Sequence, residues 1–329
     1  MEIQNLPPRY ESAVPMIMDP APPDHETMAG IPKHLYNPGQ RVKAAVHFSR
    51  DNSMQSEITD QDGVMLGARW EDPSQDERIK KAHKAGLIDY VEVNYPIAFG
   101  WDPASLNAPI LVHTSSNPIC SFHGVSPKIA QMIKEGAEDC ASPWIGEHLT
   151  WLGAEKSGSL GYQINPLFTE EFKDVAVSNV KSLSEFYGRP IALELGPLYL
   201  PATGYESEIH FLKDVAIETE SRIILDITHW QIANRNLGRP AEYGLDVLPK
   251  ELIVELHVAG MRLGAEDNHW HDAHFVIPND EVMGLTADLV STLPNLRAVT
   301  FEHQADGPEK DFHQTLEKLN TLMDGARPN

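Results

Sequence analysis

Cysteine is scarce in this sequence. Cys120 and Cys140 are the two cysteines among 329 residues, and their spacing is not that of a zinc-binding motif. A disulfide framework and a zinc ribbon are therefore excluded, and a reducing cytoplasm is the default expectation for the compartment.

Long apolar runs are also absent. No stretch reaches the ~18 apolar residues that a membrane span needs. The first residues, MEIQNLPPRYESAV, lack the cationic start and the apolar run of a signal peptide. We therefore expect a soluble, cytoplasmic protein that does not insert into a membrane.

Basic residues are outnumbered. The chain has 26 Lys and Arg against 48 Asp and Glu, which gives a formal net charge of −22. A chain of this charge repels phosphate backbones and anionic lipid surfaces. Nucleic acid and membranes are accordingly not expected as partners.

Proline is abundant in the N-terminal segment. Residues 1–40 contain eight prolines, and each proline lacks a backbone donor and has a fixed φ, so that regular helix or sheet is interrupted. We predict a proline-rich N-terminal extension over residues 1–60, with little to pack against by itself and a candidate for ordering on a binding partner.

Short apolar runs rich in β-branched residues alternate with amphipathic stretches after this extension. The runs lie at residues 63–69, 89–95, 109–114, 143–149, 190–195, 222–227, 252–258 and 297–302. A helical pattern follows most of them, as over residues 169–188. Repeated βα units of this number predict an α/β fold, a (β/α)8 TIM barrel over residues 61–329.

Polar side chains collect where the predicted strands end. In a (β/α)8 barrel the C-terminal strand ends form the mouth that carries the active site. The candidate residues at or just after these ends are His113, Glu147, His148, Glu194, Asp226, His229, His257 and Glu302. The segment HWHDAH (269–274) follows the seventh strand, and we expect it to bring Asp272 and His274 to the same mouth.

Each of these residues has a plainer interpretation when taken alone, as a helix cap or as a member of a core hydrogen-bond network. Glu92 and Asn94 end the second strand, and a supporting position is favoured for them over metal binding. Of His269 and His271, at least one is expected at the surface.

Convergence of all the candidates on one mouth favours metal binding. Carboxylates in a small volume repel one another, and each ionised group is costly to desolvate. Few arginines or lysines lie nearby in sequence, so divalent metals bridged by carboxylates are the expected counter-charge. Nitrogen and oxygen donors without thiolates favour iron, zinc or manganese.

Six short motifs resemble a known family in order and spacing. They are GEHLTW (146–151), LELG (193–196), LDITH (225–229), ELHVAG (255–260), HDAH (271–274) and TFEH (300–303). In these motifs the chain resembles the multinuclear non-heme iron-dependent oxidases, the methanobactin- and thiaglutamate-type peptide-modifying enzymes. The resemblance spans roughly residues 63–305. It implies a xylose-isomerase-like barrel that holds about two to three iron ions in mixed Fe2+ and Fe3+ states.

The resemblance also implies a substrate and partners. Members of that family use O2 to modify cysteines of a ribosomally synthesised precursor peptide, often beside a small partner protein that recruits the peptide. A substrate thiolate binds one iron while O2 is activated at another, and hydrogen is removed from the carbon next to sulfur. The outcomes range from ring formation to excision of that carbon, and the sequence leaves this choice open.

Carried over by position, the family's pattern makes Glu147 the bridging carboxylate and His113 a terminal ligand. The expected catalytic residues are Glu147, Asp226 and His229. The expected metal-site residues are His113, Glu147, His148, Glu194, Asp226, His229, His257, Asp272, His274 and Glu302.

The chain departs from the family pattern in three places. Glu194-Leu195 stands where the family usually has Glu-Asn, and His229 stands where it usually has Asn. The family's histidine after the first strand is missing, because GARWEDP (67–73) offers only Glu71 and Asp72. A three-iron site, with His229 as a replacement ligand, and a two-iron core with a weaker third site both remain open.

Two other function classes compete with the oxidase. A zinc- or manganese-dependent hydrolase or isomerase could use the same barrel to activate water, as endonucleases and sugar isomerases of this fold do. The acidic net charge disfavours the nucleic-acid version. A non-enzymatic barrel whose site has decayed into a binding scaffold is opposed by the near-complete set of donors.

Overall fold

The structure is a computed structural model that describes residues 63–95, 103–122, 124–154, 158–202 and 204–326. The N-terminal extension predicted over residues 1–60 lies outside these ranges. The barrel predicted to follow it falls almost wholly within them.

Twelve strands occur in the described ranges. They are β1 (Met65–Trp70), β2 (Tyr90–Asn94), β3 (Ile110–Thr114), β4 (Ile145–His148), β5 (Trp151–Ala154), β6 (Gly158–Ile164), β7 (Ile191–Glu194), β8 (Arg222–Asp226), β9 (Ile253–Val258), β10 (Met261–Leu263), β11 (Trp270–Asp272) and β12 (Ala298–Phe301). Eight of them, β1 to β4, β7 to β9 and β12, pair in parallel with their neighbours in chain order and close into a barrel through the pairing of β12 with β1. All eight predicted strands are therefore present, and the (β/α)8 barrel is confirmed.

Helices connect the barrel strands on the outside. Those in the described ranges are α1 (Asp76–Lys84), α2 (Pro127–Asp139), α3 (Glu170–Tyr187), α4 (Glu208–Thr219), α5 (Ile227–Asn236), α6 (Asp280–Thr292) and α7 (Glu309–Ala326). The ends of α3 agree with the predicted helix: the Thr169 side chain accepts from the Phe172 N–H, and Gly188 ends the helix in the left-handed region at φ 64°. None of the described helices combines the length and apolarity of a bilayer span.

Two antiparallel hairpins were not predicted. The first pairs β5 with β6 and follows β4 at the mouth of the barrel. The second pairs β10 with β11, after β9. Strand β11 contains the middle of the HWHDAH segment, so this segment has a defined backbone and is not an irregular loop.

The apolar core has two parts. The larger part lies between the outer faces of the strands and the helices. The smaller part fills the barrel interior near the N-terminal strand ends, and its members are Met65, Tyr90, Leu111, Trp144, Ala192, Ile224, Val254 and Ala298. This apolar floor closes one end of the barrel, so polar groups above it can meet water only from the mouth.

A bulge in β9 aims two polar residues into the barrel. The pairing of β8 with β9 shifts register between Ile223 and Ile224, and Val254 is the extra residue. Beyond this bulge Glu255 reaches the interior, where it accepts a 2.9 Å hydrogen bond from Nε1 of Trp144. His257, two residues later, shares that face because side chains alternate along a strand.

Gly146 in β4 allows the close approach of a candidate ligand. A Cβ at this position would clash with the imidazole of His113 and would lie 2.9 Å from Cδ1 of Ile224. Neither neighbour has room to move, since both are buried in the barrel interior. The glycine of the GEHL motif is therefore required by packing inside the barrel.

We predict that Gly146→Ala lowers the free energy of unfolding by about 1 to 3 kcal/mol, because it overpacks the interior against His113. Gly284→Ala is the control. Gly284 lies in α6, and among the described residues nothing lies within 4 Å of a Cβ built there. That change should stabilise the protein by about 0.5 to 1 kcal/mol. Denaturant unfolding of both variants measures the difference, and equal stabilities would contradict the packing argument.

Candidate metal centre

Each barrel strand contributes a charged or imidazole side chain at its C-terminal end. In chain order these residues are Arg69, Glu92, His113, His148, Glu194, Asp226, His257 and Glu302. All eight are buried. Every one except Arg69 and Glu92 belongs to the predicted metal-site set, so the structure brings most of that set together above the apolar floor.

Glu194 lies at the centre of this cluster. Its Oε2 is 2.7 Å from Nε2 of His113 and 3.2 Å from Nε2 of His148. Its Oε1 is 3.2 Å from Nδ1 of His229, and Nδ1 of His257 lies 3.7 Å from Oε2. One carboxylate therefore contacts imidazoles from three barrel strands and from the helix α5.

Several sets of donors have the spacing of a metal site. In each set one atom per residue lies within 4.8 Å of the others, and the sets are His113, His148 and Glu194; Glu194, Asp226 and His257; His229, Asp272 and His274; and Glu92, His113 and His257. The first two sets share Glu194 and are fully buried. The third is partly exposed.

Unpaired atoms show that these residues fit a cation. Oδ2 of Asp226, Nδ1 of His257 and Oδ1 of Asp272 are buried and make no hydrogen bond to any described residue. Buried polar atoms without a partner are rare and costly in folded proteins. Because the donors are nitrogen and oxygen, a divalent first-row metal is the ligand that would satisfy them.

The HWHDAH segment divides between the site and the surface. Nε2 of His274 lies 2.9 Å from Asp272 and 3.2 Å from Glu302. His271, by contrast, pairs with Asp267 at 2.8 Å, and Nδ1 of His269 lies 2.9 Å from the Asp267 carbonyl oxygen. The expectation that Asp272 and His274 reach the mouth therefore agrees with their positions, and the other two histidines form a local cluster away from it.

Glu147 requires a correction. It was expected to bridge two metals, but its Oε1 accepts hydrogen bonds from Asn117 at 2.7 Å and from the hydroxyl of Tyr187, on helix α3, at 3.0 Å. Since neighbouring strand residues face opposite sides, His148 points into the barrel and Glu147 points out toward the helices. Burial raises the pKa of Glu147 to about 8, against these two hydrogen bonds. The structure thus places Glu147 outside the cluster.

Arg69 is the group that the sequence reasoning missed. Its Nη1 donates to Glu92 at 2.6 Å and to Glu302 at 2.9 Å. The alternation of β1 was a usable indication, because it puts Arg69 on the face of Gly67, whose missing side chain makes room for the ring of Tyr90. A buried arginine is nevertheless unusual unless it is paired, and the carboxylates that pair with it come from distant strands.

The residues that replace the family's missing histidine take different positions. Asp72 turns away and accepts a 2.7 Å hydrogen bond from the N–H of Ser74, at the start of a short 3-10 turn. Glu71 stays near the mouth, 3.9 Å from Nε of Arg69. His229 belongs to the partly exposed set, where its Nε2 is 3.5 Å from Asp272.

Protons act as counter-charge when no metal is bound. Burial alone would lower the pKa of His274, but the carboxylates of Asp272 and Glu302 raise it to about 10. The pKa of His257 is likewise raised well above its usual value, against burial, by neighbouring carboxylates that include Glu92. Burial also raises the pKa of Asp226 to about 7. The metal-free cluster therefore holds protons that a metal must displace.

Comparison with known proteins identifies the family of this chain. A family model described as RiPP precursor modification enzyme MbnB/TglH/ChrH matches residues 77–324. A UPF0276 protein of Caulobacter vibrioides is 28% identical over 191 residues, which are 55% of this chain and 67% of that protein. A UPF0276 protein of Vibrio vulnificus is 28% identical over 208 residues, or 62% of this chain and 70% of that protein.

Two solved structures share the fold. A xylose isomerase domain containing protein from Salmonella typhimurium LT2 has a TM-score of 0.54 at 14% identity, over 79% of this chain and 97% of that chain. A xylose isomerase-like TIM barrel protein from Mycobacterium smegmatis, in complex with magnesium, has a TM-score of 0.52 at 9% identity, over 81% and 98%. The predicted xylose-isomerase-like barrel is thereby confirmed.

We predict that Glu194→Gln removes most of the bound metal, because an amide cannot supply the charge that two donor sets share. Glu147→Gln is the matched control, a change of the same size on the same end of the barrel. It should keep wild-type metal content, since Glu147 belongs to none of the donor sets and an amide oxygen can accept the same two hydrogen bonds from Asn117 and Tyr187. Metal analysis of both purified variants tests this prediction. Metal loss in Glu147→Gln alone would show that Glu147, and not Glu194, is the shared ligand.

The stability of the metal-free protein should fall as pH rises from about 6.5 toward 10. The folded state raises the pKa of His274, so the stabilisation is complete below the unfolded value and is lost as pH passes the folded value. Thermal unfolding with a chelator present measures the slope. His274→Gln should flatten it, and a midpoint that rises with pH would contradict this account.

Proposed function

The chain belongs to the RiPP precursor modification enzyme family MbnB/TglH/ChrH, and we propose that it is an iron-dependent oxidase that uses O2 to modify cysteines of a ribosomally synthesised peptide. The observation that carries the proposal is the sharing of Glu194 between two buried three-donor sets. A carboxylate so placed suits two neighbouring metal ions, and a reaction that binds both a thiolate and O2 needs two adjacent binding positions.

Iron is the proposed metal because of the donor chemistry. The sets contain imidazole and carboxylate and no thiolate, a mixture that accommodates both Fe2+ and Fe3+. Cys120 is buried in the apolar core between strands and helices, away from the cluster. When bound, two to three irons per chain would supply the one-electron and O2 chemistry that amino-acid side chains lack.

Different side chains would hold the two inner ions. His113 and His148 would hold one ion with Glu194, and Asp226 and His257 would hold the second with the same carboxylate. The helix α5 begins directly after β8, and Asp226 caps it by accepting the N–H of His229 at 2.7 Å. The other oxygen of Asp226, Oδ2, remains available to the cluster. The capping hydrogen bond therefore also orients Asp226 as a ligand.

The third donor set faces the entrance. The side chains of Asp272 and His274 are 23% and 14% exposed, whereas those of His113 and Glu194 are at most 1% exposed. A substrate entering from the mouth therefore meets the third set first. We propose that this set holds a weaker, exchangeable third metal, and that His229 supplies the ligand that the missing histidine does not.

The loops around the mouth suit a peptide substrate. Phe122, Leu167 and Leu200 are 67%, 58% and 74% exposed, on the loops that follow β3, β6 and β7. Large apolar side chains exposed on loops beside a polar site suit a surface that binds another chain. We propose that a cysteine-containing precursor peptide, brought by a small recruiting partner protein, lies across this rim. A reducing cytoplasm, which keeps that cysteine as a thiol, is the proposed compartment.

The proposal is tested by purifying the protein without oxygen and measuring its metals. We expect about two to three irons per chain, with a Mössbauer spectrum that contains both Fe2+ and Fe3+. Stoichiometric zinc or manganese without iron would instead favour the hydrolase or isomerase on the same barrel. Glu194→Gln, prepared in parallel, controls for iron bound elsewhere on the chain.

A further inference from the structure

His257 belongs to two of the candidate donor sets but can serve only one of them. Its Nε2 lies 3.0 Å from Oε2 of Glu92, on the side of the set completed by His113. Its Nδ1 lies 3.3 Å from Oε1 of Glu302 and 3.7 Å from Oε2 of Glu194, on the side of the set completed by Asp226. A neutral imidazole has one nitrogen with a free lone pair and one N–H. The tautomer of His257 therefore decides which set can bind metal.

Arg69 constrains that choice through Glu92. Its Nη1 donates to Oε1 of Glu92 at 2.6 Å. A guanidinium is always charged and has no acceptor atom, so it holds Glu92 as a carboxylate whose other oxygen can only accept. That other oxygen faces Nε2 of His257, which must then carry the hydrogen and donate it.

We propose that Arg69 and Glu92 are positioning residues that present Nδ1 of His257 to a metal ion. The ion is the one held with Glu194 and Asp226. The inference rests on the proposed metal centre, but it does not depend on which metal occupies it. It assigns a function to two buried residues that are not themselves ligands.

The unpaired atoms on the other side of His257 support this assignment. Its Nδ1 makes no hydrogen bond to any described residue, and neither does Oδ2 of Asp226. Both atoms belong to the same donor set. Metal-binding histidines commonly donate their second N–H to a carboxylate, which fixes the ring and its tautomer. Here the carboxylate is in turn fixed by an arginine.

The same contacts keep another donor set free of metal. The set Glu92, His113 and His257 has suitable spacing. Glu92, however, already pairs with Arg69 and accepts the hydrogen of Nε2 of His257, which is the nitrogen that this set would need. Arg69 also donates to Oε1 of Glu302 at 2.9 Å, and the second oxygen of Glu302 lies 3.2 Å from His274. The guanidinium thus occupies one side of the mouth, and metals are directed to the other.

Glu92→Gln tests the proposal by reversing the tautomer. Arg69 can only donate, so the amide oxygen of Gln must face Arg69 and the amide nitrogen must face Nε2 of His257. The amide nitrogen donates, so Nε2 of His257 has to accept, and the imidazole hydrogen moves to Nδ1, where it blocks the metal. Titration of chelator-treated protein with Co2+, followed by visible absorption and metal analysis, should show binding at one site weakened about 10- to 100-fold.

The matched control is Glu208→Gln, which weakens a partly buried pair with Arg239 at 2.7 Å and belongs to none of the donor sets. It should bind Co2+ as the wild type does. Wild-type Co2+ binding in folded Glu92→Gln would overturn the inference alone, whereas a wild-type protein that binds no Co2+ would overturn the metal centre itself.

A measurement on the unaltered sequence covers the case in which Glu92→Gln does not fold. In Zn2+-loaded protein labelled with 15N-histidine, the ring of His257 should have its hydrogen on Nε2 and the metal on Nδ1. The resonance is assigned by its loss in His257→Gln. Metal on Nε2 would overturn the inference.

Discussion

Carboxylates buried at the mouth of the barrel need counter-charge, and most features of the site follow from how it is supplied. Glu92, Glu194, Asp226 and Glu302 lie above an apolar floor, with less than 4% of each exposed. An uncompensated buried charge costs several kcal/mol, which is comparable to the whole stability of a typical domain. Arg69 supplies one permanent cation, and histidines that bind either protons or metal supply the rest.

This division separates a fixed side of the mouth from an exchangeable side. Arg69, Glu92 and one oxygen of Glu302 form hydrogen bonds to one another that need no metal. Glu194 and Asp226 face His257 and His229, whose pKa values are raised by the neighbouring carboxylates, so protons and metals would compete for these two imidazoles. Protons on these histidines would therefore offset part of the carboxylate charge in protein without metal.

The sequence was sufficient for the barrel and for most of the cluster, because hydrophobic alternation locates strands and polar residues at strand ends locate the mouth. The prediction from sequence failed where it had to decide which of two neighbouring strand residues points into the barrel. Glu147 and His148 are neighbours in a four-residue strand, and the motif alone does not say which of them points inward. The bulge at Val254 and the pairing of Arg69 across strands are long-range features that no local pattern contains.

The position of His229, one of the departures from the family pattern, follows from the junction between β8 and α5. No loop separates them, and Asp226 at the cap accepts a hydrogen bond from the N–H of His229 in the first helical turn. His229 thereby reaches Asp272 on the β10–β11 hairpin. The outer donor set is thus assembled from a strand–helix junction and a hairpin, without a histidine from the β1 loop. Because that set is partly exposed, a metal bound there would lie closer to solvent than one bound at the buried Glu194.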